Sequence, residues 1–125
     1  MALVRTVTDA GVTTMSLDSP ANRNALSTAL MRELMDALAE ALTDTSVRVV
    51  VLSHTGPVFC SGADLKETAE ARRDGRVPAE MIADVLAALW EFPKPVVARI
   101  AGPARAGGLG PVSYTHLTLP TNREV

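Results

Sequence analysis

The sequence predicts an α/β fold, and three observations carry that expectation. β-rich runs alternate with segments of helical apolar period, the later runs lead into glycine-containing loops, and apolar residues make up 47% of the 125 against 21% charged. That length suits one domain with a modest hydrophobic core rather than two independent ones.

Residues 3–9 (LVRTVTD) and 12–17 (VTTMSL) are rich in β-branched side chains and are separated only by Ala10-Gly11, so an antiparallel hairpin is expected. Residues 18–24 (DSPANRN) are dense in turn formers and read as a loop. Ser27 is placed to N-cap a helix whose Leu30, Leu34, Leu38 and Leu42 form one apolar stripe, which Met31 and Met35 widen as core residues. Residues 47–53 (VRVVVLS) are almost wholly apolar, which suggests a strand buried on both faces.

A loop around Gly56-Pro57 follows, then a short helix from Asp64 to about Arg72 that Arg73-Asp-Gly-Arg76 ends. Pro78 suits the first turn of another helix, over Ala79–Glu91, with Ile82, Val85, Leu86, Leu89 and Trp90 on one side. Phe92-Pro-Lys-Pro95 stops it before a strand at Val96–Ile100, and residues 101–110 form a small-residue turn.

The last fifteen residues, 111–125 (PVSYTHLTLPTNREV), break this pattern by an abrupt change of composition, although a helix is expected after Gly107-Gly108. Residues 112–121 resemble one reading frame of a transposon-derived sequencing adaptor. The organisation therefore reads as a folding unit over residues 1–110 and a non-native tail over 111–125, against the competing reading of a genuine short C-terminal strand. Tyr114 and His116, lying in that tail, are poor functional candidates.

A formal charge of −2, spread along the chain, argues against a nucleic-acid partner, which calls for a concentrated basic face. The first residues lack the apolar core and cleavage site of a signal peptide, and no stretch approaches the ~20 apolar residues of a membrane span, so a cytoplasmic protein without membrane partners is expected. The single cysteine, Cys60, can make neither an intrachain disulfide nor a cysteine-rich zinc site.

Chemistry is expected in two loops, Phe59-Cys-Ser-Gly-Ala-Asp64 and Ala104-Arg-Ala-Gly-Gly-Leu-Gly110. Small residues there let backbone amides approach a ligand, and each loop precedes a predicted helix whose N-terminus carries unpaired N–H groups. Two such turns meeting in space could hold one developing oxyanion between them.

These loops, with Asn22-Arg-Asn-Ala-Leu26 opening the first helix and Lys94-Pro-Val entering the later strand, resemble the crotonase, or enoyl-CoA hydratase/isomerase, family over residues 3–110. The resemblance implies the N-terminal portion of a spiral of β-β-α turns, truncated, from a subunit that assembles as trimers or pairs of trimers. It implies an acyl-CoA substrate, with coenzyme A as part of that substrate and no permanently bound cofactor or metal. The thioester carbonyl would be held by the backbone N–H groups of Ala63 and Gly108. Arg23 and Lys66 would lie near the CoA phosphates or adenine, with Ala25, Ala63, Asp64 and Leu65 in the same groove. The reading left open for Arg23 and Lys66 is that of solvated surface charges.

Hydration also needs a general acid and base, which family hydratases supply as two glutamates. Pro111 stands at the first matching position and the second would fall beyond residue 125, so an inactive chain is expected. Enoyl-CoA hydratase is the leading activity; isomerase or another crotonase-family reaction, or a non-catalytic fragment, are the alternatives.

The remaining reactive side chains have plainer expectations. Cys60 is expected to pack, Ser61 to cap or to hydrogen-bond within its turn, Asp64 to be an early-helix charge or a cap, and His54 to be structural. Residues 102–110 do not satisfy the G-x-G-x-x-G spacing of a dinucleotide loop.

Overall fold

The computed structural model describes residues 2–75, 79–104, 111, 115 and 117–120. The hairpin forms as expected, with β1 (Val4–Asp9) and β2 (Val12–Leu17) antiparallel from Val4↔Leu17 to Asp9↔Val12. Ala10 and Gly11 turn it with φ of 49° and 82°, the positive pair that matches the twist of the flanking strands.

The chain then crosses over through α1 (Thr28–Thr43) to β3 (Val49–His54), which pairs parallel with β2 from Val12↔Val49. The segment expected as a plain loop contains a short 3-10 helix, Pro20–Asn22, ended by left-handed Arg23 and Asn24. After β3 come α2 (Leu65–Arg73) and α3 (Ala79–Glu91), then β4 (Val96–Ile100), parallel to β3. β5 (Leu117–Pro120) pairs parallel with β4 and completes a mixed sheet of order β1-β2-β3-β4-β5.

One face of the sheet carries Met15, Leu17, Val50, Leu52, Val96 and Ala98, which join Leu30, Leu34 and Leu38 of α1 and Val85 and Leu89 of α3 in one core. β3 departs from the expected burial on both faces: Val50 and Leu52 are buried while Val49 and Val51 are only half so. The reason is that this core takes in only one of the alternating faces of the strand.

The helical stripes are also narrower than predicted. Leu42, 47% exposed, lies beyond the buried stretch of α1, and Ala37 and Ala41 fill the face in its place. Trp90, 63% exposed, falls off the buried face of α3. Spacing of four residues drifts around a helix of 3.6 per turn, which removes the last member of such a stripe from the core.

Both ends of α1 are closed. Ser27 Oγ accepts from Leu30 N–H at 3.2 Å, as expected of the N-cap. At the other end Lys94 Nζ donates to the carbonyls of Ala41 and Asp44 at 2.6 and 2.8 Å, placing a cation where the helix dipole is negative.

Candidate active site

Beyond the carboxyl ends of β3 and β4 two loops run side by side. Phe59 N–H donates to Pro103 O at 2.9 Å, Cys60 and Ala104 form an isolated parallel bridge, and Ala101 N–H donates to His54 Nε2 at 3.0 Å. Gly102 sits so close that a Cβ there would stand 2.0 Å from the Pro57 carbonyl oxygen, so only glycine fits.

The first loop is also fastened to the entry of α1. Leu26 N–H donates to Gly62 O at 2.7 Å and Ser61 N–H to Arg23 O at 3.1 Å, with Leu26 and Ala63 bridged in parallel. Asn24 is the clamp in this corner, fully buried and with its side chain fully used. Its Oδ1 accepts from Ser19 N–H at 2.7 Å, and its Nδ2 donates to the carbonyls of Thr55 and Val58 at 3.2 and 2.9 Å. The sequence marks Asn24 only as a turn former within an Asn-Ala-Leu entry; its long-range partners come from residues 31 and 34 positions away.

Gly62, at φ +96°, turns the backbone out of this loop and into α2. Asp64 then N-caps that helix, its Oδ1 accepting from Lys66 and Glu67 N–H at 3.0 and 3.1 Å, in agreement with the capping role expected of it. This narrows what the helix start can offer a ligand, because the carboxylate already takes two of the orphan amides and offsets the positive dipole end. Ala63 N–H, one residue earlier, makes no hydrogen bond among the described residues.

Ala63 borders a cavity of about 340 Å³, within the size range of small-molecule sites. Leu26, Met31, Ala71, Met81 and Ile82 give it an apolar wall, and Thr28, Asp64, Glu67, Thr68 and Glu70 a polar one. Most of the polar groups are already committed to one another. Glu67 Oε2 accepts from Thr28 N–H at 2.8 Å and from Thr28 Oγ1 at 3.2 Å, which ties α2 to the first turn of α1. Thr68 Oγ1 donates to Asp64 O at 2.9 Å. Glu67 was not singled out from sequence, since an acid in a first helical turn looks like an ordinary dipole partner of its own helix.

The remaining predicted residues are placed as follows. Arg23 and Lys66 are exposed on adjoining segments, and Leu65 is 82% exposed beside them, while Ala25 is buried and presents little surface to a ligand. Gly108 lies outside the described residues. Cys60 is completely buried, and burial pushes its thiol upward while a backbone hydrogen bond from Gly62 pulls the other way, so it stays a packed thiol and not a nucleophile. Ser61 serves its turn, with Oγ 3.4 Å from Asn22 O.

Among known proteins, the family model described as enoyl-CoA hydratase/isomerase matches residues 7–119. A protein named a probable enoyl-CoA hydratase in Mycobacterium leprae is 39% identical over 78% of this chain and 36% of its own length. A 4-chlorobenzoyl coenzyme A dehalogenase of an Arthrobacter species is 36% identical over 90% of this chain and 43% of its own. The crystal structure of an enoyl-CoA hydratase from Mycobacterium avium superposes with a TM-score of 0.84 at 41% identity, over 98% of this chain and 49% of that one. The chain thus spans half or less of the length of these relatives. Matched through most of its length by the family model, and sharing its crotonase-type fold with that solved hydratase, the chain belongs to the enoyl-CoA hydratase/isomerase family.

Proposed function

We propose that the Ala63 N–H is one half of an oxyanion hole for the carbonyl of an acyl-CoA thioester, within an enzyme of the enoyl-CoA hydratase type. The observation that carries this is an amide without a described partner, set one residue before the N-cap of α2, in a residue that borders a cavity with both an apolar and a polar wall. Gly108 N–H, by its place in the glycine turn, would supply the second donor.

In this reading the two amides stabilise the enolate that forms when charge moves onto the thioester oxygen, each donor contributing ~3 kcal/mol to lowering the barrier. The geometry at Asp64 makes the contribution a directed hydrogen bond more than a helix-dipole effect. Arg23 and Lys66 would meet the CoA phosphates or adenine, with Leu65 in the same groove. Addition of water across the 2,3 double bond needs carboxylates to activate the water and protonate the α-carbon, and Pro111 stands where the first is expected. The residues in hand therefore support binding and polarisation without turnover.

The dehalogenase relative favours a second reading, in which the same hole serves a different reaction on a CoA thioester. The complete enzyme would be a cytoplasmic trimer or pair of trimers, a state that sedimentation reads directly.

The tail enters the proposal too. An open sheet edge pairs with any extended segment of suitable length, so the β4–β5 ladder is compatible with an adaptor-derived sequence. Comparing the nucleotides from codon 111 with the adaptor decides the matter, and a clear mismatch removes the idea.

The site itself is tested by calorimetric titration of CoA and of an enoyl-CoA, beside a hydration assay, for the parent chain and Gly62→Val. Binding that favours the thioester and collapses in the variant is expected, since valine cannot hold a φ of +96°. Equal thioester binding by both would sink the assignment.

A further inference from the structure

His54 is the last residue of β3 and Ala101 the first after β4, so a bond between them closes the fork from which the two loops diverge. The bond found there runs from Ala101 N–H to His54 Nε2 at 3.0 Å. An imidazole nitrogen that accepts carries no proton, so the neutral ring holds its hydrogen on Nδ1. That Nδ1 is buried and has no hydrogen-bond partner among the described residues, while the ring stands edge-on to Phe59, with centroids 5.3 Å apart and planes at 78°.

A position that only had to be filled would be served better by an apolar side chain, which buries no unpaired donor. The feature that histidine adds is the Nε2 lone pair, used on the second loop. From this latch the remaining contacts follow in order toward Ala63: Gly102 against Pro57, Phe59 N–H on Pro103 O, and the Cys60–Ala104 bridge.

We propose that His54 is a positioning residue, whose Nε2 latches the start of the second loop to the end of β3 and so sets where the Ala63 N–H stands. The proposal rests on the oxyanion reading for its functional meaning, while the latch is measurable without it.

The test uses amide exchange and NMR on the full chain with His54→Leu and His54→Gln. Leucine removes the acceptor and glutamine returns one at similar reach. Exchange at Ala101 is expected to rise about tenfold in His54→Leu, with a displaced Ala63 cross-peak, and both are expected to recover in His54→Gln. Unchanged exchange at Ala101 overturns the proposal, and so does a faster Ala101 with an unmoved Ala63. Should the leucine variant not fold, the parent ring decides through its nitrogen shifts: an unprotonated Nε2 supports the latch and a proton on Nε2 overturns it. An enoyl-CoA titration that leaves the Ala63 cross-peak of the parent unmoved counts against the oxyanion reading alone.

Discussion

The β1–β2 hairpin and the loop between β3 and α2 both reverse the chain through positive-φ residues, Ala10 and Gly11 in one and Gly56 and Gly62 in the other. The hairpin is closed by a ladder of six consecutive residue pairs whose partners lie within a few positions of the turn. The loop makes no such ladder. Asn24, Arg23, Pro103 and Ala104 hold it, each from another part of the chain. A turn supported by its neighbours tolerates local change, whereas a loop supported from several directions moves as a unit when one support is lost.

The largest effect that would break this contrast comes from Gly102→Val. A side chain there meets backbone at Pro57, and the two loops must part, at a cost of about 3 kcal/mol or more. Urea denaturation reads the loss, and a stability equal to the parent's would mean that the loops are not held against each other as described. Asn24→Ala follows, since it strands one N–H and two carbonyl groups in a buried corner, for about 2 kcal/mol. Thioester binding should weaken along with stability, because Asn24 supports the loop that ends in Gly62 and Ala63.

Gly11→Ala should cost only about 1 kcal/mol, the penalty of one non-glycine residue in the left-handed region. Its new Cβ would meet the end of the flexible Arg48 side chain, which can swing away, and Ala10 already holds a positive φ. Acyl-CoA affinity should not change; a matching loss of binding would erase the distinction between the two turns. Smallest of all is the acid response of Asp18, which spans both regions. The Thr55 hydroxyl, 2.6 Å away, chiefly holds its carboxyl below the ordinary range, against a smaller desolvation effect and with help from Arg5. A depressed folded-state pKa contributes stability above the unfolded value of about 3.9 and loses it as pH falls through the folded one. Asp18→Asn should accordingly flatten the acid limb of a stability-against-pH curve, and an unchanged limb would contradict the pairing.

Legibility from sequence follows the same division. The hairpin, the Ser27 cap, the Asp64 cap and the strand at Val96–Ile100 were readable because neighbouring residues create each of them. Glu67 and Lys94 were not, though they close the two ends of α1, because their partners are 39 and some 50 residues away. Nor was the exposure of Leu42 and Trp90, because a four-residue spacing drifts around the helix and how much drift the core still covers depends on where the facing surface ends.

For the candidate site, the small residues around Gly62 and the turn at Gly102 announced loops in which backbone could come close to something. Residue type alone determined that much, since few side chains adopt a φ near +96° and none fits 2.0 Å from a carbonyl oxygen. Which amide remains unpaired among the described residues was decided only by the tertiary structure: Asp64 folds back onto Lys66 and Glu67, the α1 entry takes Gly62 O, and Ala63, which borders the cavity, keeps a free N–H. The reason is physical. Whether a backbone donor is free depends on every acceptor that reaches it, and those acceptors are brought together by packing rather than by adjacency along the chain.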